Sequence, residues 1–233
     1  MSQHQSFDDY ASSYSAEMRD ALGRFGGESS YYLRQKVNLL SRELTHTQPR
    51  RVLDFGCGIG QAVPFLLEAF SPELLVCTDE SKESLNVLRE AYPAVRAVGL
   101  EEVEDEAFDL IFVANVLHHI EPRLRHDVVR DLCRRLRPQG VVAVFEHNPL
   151  NPITRRIVSN CSFDEGVTLL SKSEVTTYFS DIDGVTIMKS GYFLFVPEPL
   201  KRFNWIDSHM YKVPFGGQHF TVARQSSEIG NRG

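Results

Sequence analysis

The segment Asp54-Phe-Gly56-Cys-Gly58-Ile-Gly60 closes a short apolar run and carries the sharpest chemical signal in the chain. Glycines at such a strand end let the backbone turn tightly and let a ligand approach the main chain. A nicotinamide-dinucleotide loop, G-x-G-x-x-G, would need glycine at position 61, which is Gln61. An acid instead stands two residues before the first glycine. A carboxylate there repels phosphates and suits a ligand that carries an amine and no phosphate. The next apolar run ends Cys77-Thr78-Asp79-Glu80-Ser81. In a doubly wound sheet an acid at this place receives ribose hydroxyls. The alternative for Asp79 is to cap the helix starting near Lys82, which Ser81 can equally do. The economical division gives the cap to Ser81 and the ribose to Asp79. S-adenosylmethionine (SAM), with its amine, carboxylate, sulfonium and no phosphate, suits the first acid, while NAD and SAM share the ribose, so Asp79 does not choose between them.

Two further clusters can move protons: His118-His119, and Glu146-His147. Histidine titrates near neutral pH, so any of these histidines is a candidate base. A histidine packed in a loop, or hydrogen-bonded in the Glu-His-Asn-Pro turn, is the competing reading. Their spacing matches no recognised ligand pattern, and no metal is expected.

These residues need a scaffold, and the sequence supplies one. Strand-like runs at 51–55, 74–78, 95–98, 109–114 and 141–145 alternate with helical patterns at 61–70 and 82–92 and with a stripe of Leu124, Val128, Leu132 and Leu136 that stops at Pro138-Gln139-Gly140. Short buried strands alternating with helices predict a parallel sheet covered on both faces. Leu33, Val37, Leu40 and Leu44 predict a helix before the sheet. Residues 153–182 read as one or two helices, with Ser171 as cap and Glu174 three residues on. Runs at 185–196 and 218–224 lack a long crossover between them, so they are expected to pair antiparallel. The division is then a single domain: an N-terminal arm and helix (1–50), a cofactor core (51–147), a helical insertion (148–182) and a terminal hairpin (183–225).

The 233 residues, 24% of them charged and 42% hydrophobic, exclude wholesale disorder. A net charge of −6 argues against a nucleic-acid groove. No apolar run approaches the roughly 20 residues that span a bilayer, so no stable membrane insertion is expected. MSQHQSFDDY has neither a basic flank nor an apolar stretch, so no secretory signal is expected. Cys57, Cys77, Cys133 and Cys161 form no C-x-x-C pair, which fits a reduced, cytoplasmic setting.

The motifs taken in order, Val52-Leu-Asp-Phe-Gly-Cys-Gly-Ile-Gly60, Thr78-Asp79-Glu80-Ser81, Phe108-Asp109-Leu110-Ile111, Val116-Leu117-His118-His119-Ile120 and Leu136-Arg-Pro-Gln-Gly-Val141, resemble the class I SAM-dependent methyltransferases. The small-molecule branch, similar to quinone-biosynthesis and sugar methyltransferases, is nearest. The resemblance covers residues 50–147 and implies an α/β, Rossmann-like doubly wound sheet, mostly parallel with an antiparallel final strand and helices on both faces. It implies SAM as cofactor and S-adenosylhomocysteine as product. Asp54, Gly56, Gly58 and Gly60 would hold the methionine end, Asp79 the ribose and Glu80 the adenine side. Ala114 and Asn115 would touch the methionine portion, and Arg34 its carboxylate, unless Arg34 is a solvated helix residue. Where relatives carry an acid for the adenine amine, this chain has Gly99-Leu100, so Leu100 backbone or Glu101 must substitute.

The flanks remain for the acceptor. Phe7, Tyr10 and Tyr14 on the arm are candidates for a lid. Arg155-Arg156 and Lys201-Arg202 would favour an anionic small-molecule acceptor such as a sugar phosphate or nucleotide sugar. The aromatics Phe193, Phe195, Phe203, Trp205, Tyr211 and Phe215 would favour a quinone-like one. A lipid-linked acceptor, a non-catalytic SAM-binding subunit and an NAD(P)-dependent oxidoreductase are the other readings, the last opposed by Gln61.

Overall fold

A computed structural model describes residues 29–105, 107–161, 164 and 166–227. The proposed lid residues Phe7, Tyr10 and Tyr14 lie outside them. Seven strands, β1 (Arg51–Phe55), β2 (Leu74–Thr78), β3 (Arg96–Val98), β4 (Phe108–Ala114), β5 (Leu136–His147), β6 (Val185–Phe193) and β7 (Gln218–Gln225), form one sheet in the order β3-β2-β1-β4-β5-β7-β6. Strands β1 to β5 pair in parallel. β7 runs antiparallel to β5, and β6 antiparallel to β7. The order reverses at β1, so the crevice for a ligand opens beside the carboxyl ends of β1 and β4.

The strands read as near-continuous apolar runs because both faces are covered. Val52, Leu110, Phe112, Val141, Ala143 and Phe145 meet α1 (Ser29–Glu43), α2 (Val63–Phe70) and α3 (Lys82–Ala91). Leu53, Ile111, Val113, Val142 and Val144 meet α4 (Arg125–Arg134) and α6 (Lys172–Ser180) on the other face. Asp54 interrupts the first of these faces, where an apolar residue would otherwise stand. A buried acid in a core strand is costly unless it serves something.

The stripe through Leu136 does not remain helical. α4 stops at Arg134, and Leu136 already pairs with Phe108 as the start of β5. Pro138 cannot donate to the ladder, so Pro138-Gln139-Gly140 becomes an irregularity inside the strand, with Gln139 at φ 64° and the register slipping between Phe108 and Leu110. The residues expected to stop a helix instead bulge a strand.

The stretch after β5 forms two helices, α5 (Pro152–Ser159) and α6. Asn151 caps α5 by accepting from the N–H groups of Ile153 (2.9 Å) and Thr154 (3.0 Å), with Pro152 at the first helical position. Ser171 Oγ accepts from the Glu174 N–H at 3.2 Å and Glu174 Oε2 accepts from the Ser171 N–H at 2.7 Å, a complete capping box. Ser171→Ala is therefore expected to cost about 1 kcal/mol in urea unfolding. A change within error would show that α6 is held by Val175 and Phe179 packing alone. A short α7 (Trp205–Met210) lies in the β6–β7 connection, too short to serve as a parallel crossover.

Candidate active site

The turn after β1 is built so that only glycine fits. Gly56 has φ +70°, and a Cβ there would meet Val116 Cγ2 at 2.4 Å. Gly58 has φ +51° and faces open space. Gly60 has φ +82°, and a Cβ there would sit 2.9 Å from Leu88 Cγ, so its role is close packing on α3. The N–H groups of Gly56 and Cys57 donate to the Thr78 carbonyl at 2.9 and 3.1 Å, which ties the loop to the end of β2. Asp79 clamps it: Oδ2 accepts from the Gly58 N–H at 2.8 Å and Oδ1 from the Ser81 N–H at 2.9 Å. Ser81 caps α3 by accepting from the Ser84 N–H at 3.1 Å. Cap and clamp are thus divided between Ser81 and Asp79.

A cleft of about 1090 Å³ runs along this edge. Asp54, Gly56, Gly58, Asp79, Glu80, Leu100, Glu101, Ala114, Asn115, His118, His119 and His147 all line it. It exceeds the usual 300–1,000 Å³ of a single small-molecule site and has room for two ligands. Asp54 is buried, and its Oδ2 has no hydrogen-bond partner. Burial, with Asp79 adding to it and Lys36 opposing, pushes its carboxyl up to about 7.

At the other end of the cleft the β4 and β5 loops meet. Glu146 is fully buried; its Oε1 accepts from the N–H groups of Val116 (3.1 Å) and Leu117 (2.7 Å), and Oε2 meets His118 Nδ1 at 2.6 Å. His118 Nε2 lies 3.3 Å from Asp164 Oδ1, and His119 Nε2 lies 3.4 Å from the same oxygen. Burial opposes a charge on His118, but Glu146 and Asp164 prevail and hold it up to about 9. Burial likewise disfavours charge on Glu146, yet His118 draws it down to about 2. His119 is pulled down to about 4 and His147 to about 3, each by burial and then by the His118 charge. At neutral pH the cluster therefore holds one imidazolium and two neutral imidazoles. Arg125, buried in α4, braces it by donating to the carbonyls of Ile120 (2.9 Å) and Thr168 (2.8 Å).

The methyltransferase-domain family model matches residues 53–142. A trans-aconitate 2-methyltransferase of Acidovorax sp. (strain JS42) is 34% identical over 118 residues, covering 49% of this chain and 45% of that protein. The chain thus spans less than half the length of that relative. Among solved structures, the methyltransferase in the Haloferax volcanii complex with the Trm112 activator superposes with a TM-score of 0.66 at 17% identity, over 97% of this chain and 100% of that one. Phosphoethanolamine N-methyltransferase 2 of Haemonchus contortus, solved with SAM, gives 0.63 at 16% identity, over 97% of this chain and 61% of that one. Residues 53–142 thus match a methyltransferase domain, and the chain has the fold of these solved methyltransferases.

SAM is the cofactor that such a domain implies, and the residues present fit it. The unpartnered Asp54 oxygen can take an ammonium, the open space at Gly58 admits a ligand to the main chain, and Asp79 lines the cleft at the end of β2. Two expected residues sit elsewhere. Arg34 is ion-paired with Glu68 at 3.1 Å, stacks on Phe65 at 4.7 Å, and lines a separate small hollow. Lys36 lines the cleft in its place, almost wholly buried and lowered to about 7, by burial first, with Glu146 and Asp54 opposing. The signal for it was present: Lys36 lies three residues after Leu33 and four before Leu40, on the apolar face of α1. Glu146 is the second. Its carboxylate is spent on two backbone N–H groups and on His118, so it positions the cluster rather than meeting an acceptor. Asp164, which completes the cluster, carries no sequence signal beyond being an acid in a polar turn.

Proposed function

We propose that this chain transfers a methyl group from SAM to a small anionic acceptor seated at the histidine end of the cleft. SAM supplies an electrophilic methyl on a sulfonium, and the transfer is an in-line displacement. The chain's part is to align donor and acceptor and to exclude water. Asp54 and the Gly56–Gly58 turn would fix the amino-acid end, and Asp79 the ribose. The observation that supports the anionic reading is the likeness to the trans-aconitate methyltransferases, whose named acceptor is a small polycarboxylate; His118 adds no charge to it, since Glu146 and Asp164 face its two ring nitrogens. The basic pairs do not contribute: Arg155, Arg156, Lys201 and Arg202 are exposed, and Arg202 stacks on Phe203. Ile153, Ile157, Phe195 and Phe215 give the same cleft apolar walls, so an acid with a hydrocarbon body fits it better than a sugar phosphate.

The test is calorimetric. SAM and S-adenosylhomocysteine are expected to bind and NAD(P) to give no heat, because the Asp54 carboxylate would face a pyrophosphate. Asp79→Ala should weaken SAM by about 1–3 kcal/mol, the cost of unpaired hydroxyls in a closed site. Tight NAD(P) binding without SAM heat would overturn the cofactor assignment. Labelled-methyl transfer to di- and tricarboxylic acids but not to neutral phenols would support the acceptor class, and the reverse preference would refute it.

A further inference from the structure

His118, His147 and Asp164 come from three separate places, the turn after β4, the end of β5 and the turn after α5, and their ligand atoms lie within 4.8 Å of one another. The His118 Nε2–Asp164 Oδ1 separation is 3.3 Å, and His119 Nε2 approaches the same oxygen to 3.4 Å. The rings of His119 and His147 lie 4.1 and 5.3 Å from that of His118, centroid to centroid. Metal–nitrogen and metal–oxygen bonds of roughly 2.0–2.2 Å place neighbouring ligand atoms about 3–3.5 Å apart; the two histidine–Asp164 pairs already have that spacing, and the His147 nitrogen lies within 4.8 Å of its partners. All four side chains line the cleft, so an ion among them would keep a face open to a small molecule. Three protein ligands with an open position are the arrangement of catalytic rather than structural metal sites.

An outer layer reinforces the reading. Glu146 Oε2 lies 2.6 Å from His118 Nδ1, and its other oxygen is fixed by the Val116 and Leu117 N–H groups. A carboxylate on the far nitrogen is what orients a metal-binding histidine: it keeps the proton on Nδ1 and aims Nε2 inward. We propose that His118, His147 and Asp164, with His119 alongside, form a site for one divalent transition-metal ion at the acceptor end of the cleft. Imidazoles with a single carboxylate select zinc-, cobalt- or iron-type ions over magnesium and calcium, which take all-oxygen sets. Sequence spacing gave no metal pattern because the ligands meet only through the fold.

Resting on the methyl-transfer reading, the ion would hold an acceptor oxygen in line with the donor. If that oxygen is a hydroxyl, coordination lets its proton pass to solvent. The oxygen's electron pair then forms the bond to the methyl carbon, and the pair of the broken C–S bond stays on sulfur. The neutral histidines need not then act as bases.

The experiment uses the full chain, stripped with chelator and dialysed, then titrated with Zn²⁺ and separately with Co²⁺, with bound metal quantified and the visible Co²⁺ absorption recorded. One ion per chain is expected, with cobalt bands displaced by zinc. His147→Gln and Asp164→Asn should each weaken binding by at least roughly 10–100-fold, the loss that outer-layer changes alone produce. His209→Gln, on exposed α7, should not. If one variant fails to fold by circular dichroism, the other carries the comparison. No uptake by folded protein, or uptake equal in wild type and both site variants, overturns the site. Calorimetry with SAM on the stripped protein separates the two ideas. SAM binding without metal uptake defeats the site alone; metal uptake without SAM binding upholds the site and defeats the methyl-transfer reading.

Discussion

Glu146→Ala is expected to destabilise the protein by about 3–5 kcal/mol, because it breaks a buried charge pair and leaves its partner uncompensated. The alanine removes the acceptor for the Val116 and Leu117 N–H groups and the counter-charge of His118 in one step. Glu146→Gln keeps an oxygen for the two N–H groups and loses the charge, so its cost should be smaller. The pH profile of stability gives the second reading. Glu146 lies below its ordinary value, so its contribution is present above about 4.5 and lost as pH falls toward about 2. His118 lies above its ordinary value, so its contribution is present below 6.5 and lost as pH rises through about 9. Urea unfolding from pH 3 to 9 should show both slopes in wild type and flatter ones in Glu146→Ala. A loss under about 1 kcal/mol with an unchanged profile would show that the turn is held by Leu117 packing and Arg125 instead.

That Glu146 anchors a turn was not legible in the chain, and the reason is general. Its partners are backbone N–H groups at 116 and 117 and a ring at 118, all reached across the β4–β5 register, which pairs Ala114 with Phe145. The strand pattern foretells that residues 115–119 and 146–147 share an edge, but not which of the facing groups satisfy one another. The glycine turn and the buried acid beside it were readable because their signals are local: Gly56 is required by φ +70° and the closeness of Val116, and Asp54 stands out as an acid on an otherwise apolar face. The Arg34 and Lys36 exchange shows the limit. Both stand on α1 two residues apart, and only the helix's rotation against the sheet decides which reaches the cleft. The helical stripe past Leu136 was misread because a leucine every four residues suits a helix, while a strand can begin on the same leucine once the chain breaks after Arg134.

SAM affinity is expected to fall roughly tenfold per pH unit as pH drops below about 7, and Asp54→Asn should abolish that dependence. In the free protein burial raises the Asp54 carboxyl to about 7, with Asp79 pushing the same way and Lys36 opposing. Lys36 is lowered to about 7, by burial, with Glu146 and Asp54 opposing, and its charge disfavours one on His147. Near neutrality the two groups therefore share a proton between a neutral pair and an ion pair. The amino-acid end of SAM, one ammonium and one carboxylate, matches the ion pair. Below about 7 Asp54 is protonated and Lys36 stays charged, so only the ammonium loses its partner. An amino-acid ammonium remains charged throughout that range, its ordinary pKa being roughly 7.7–8. The acid limb therefore reports Asp54 and not the ligand, whereas the alkaline limb mixes Lys36 with the amine. Calorimetry at pH 6 in buffers of different ionisation enthalpy should show close to one proton released on binding, absent in Asp54→Asn. Lys36→Met should keep the release and shift it upward in pH, since the group that lowers Asp54 is gone. Affinity flat from pH 5.5 to 7.5 with no proton release would mean that the ammonium binds elsewhere, and that Asp54 stays protonated to support the glycine turn.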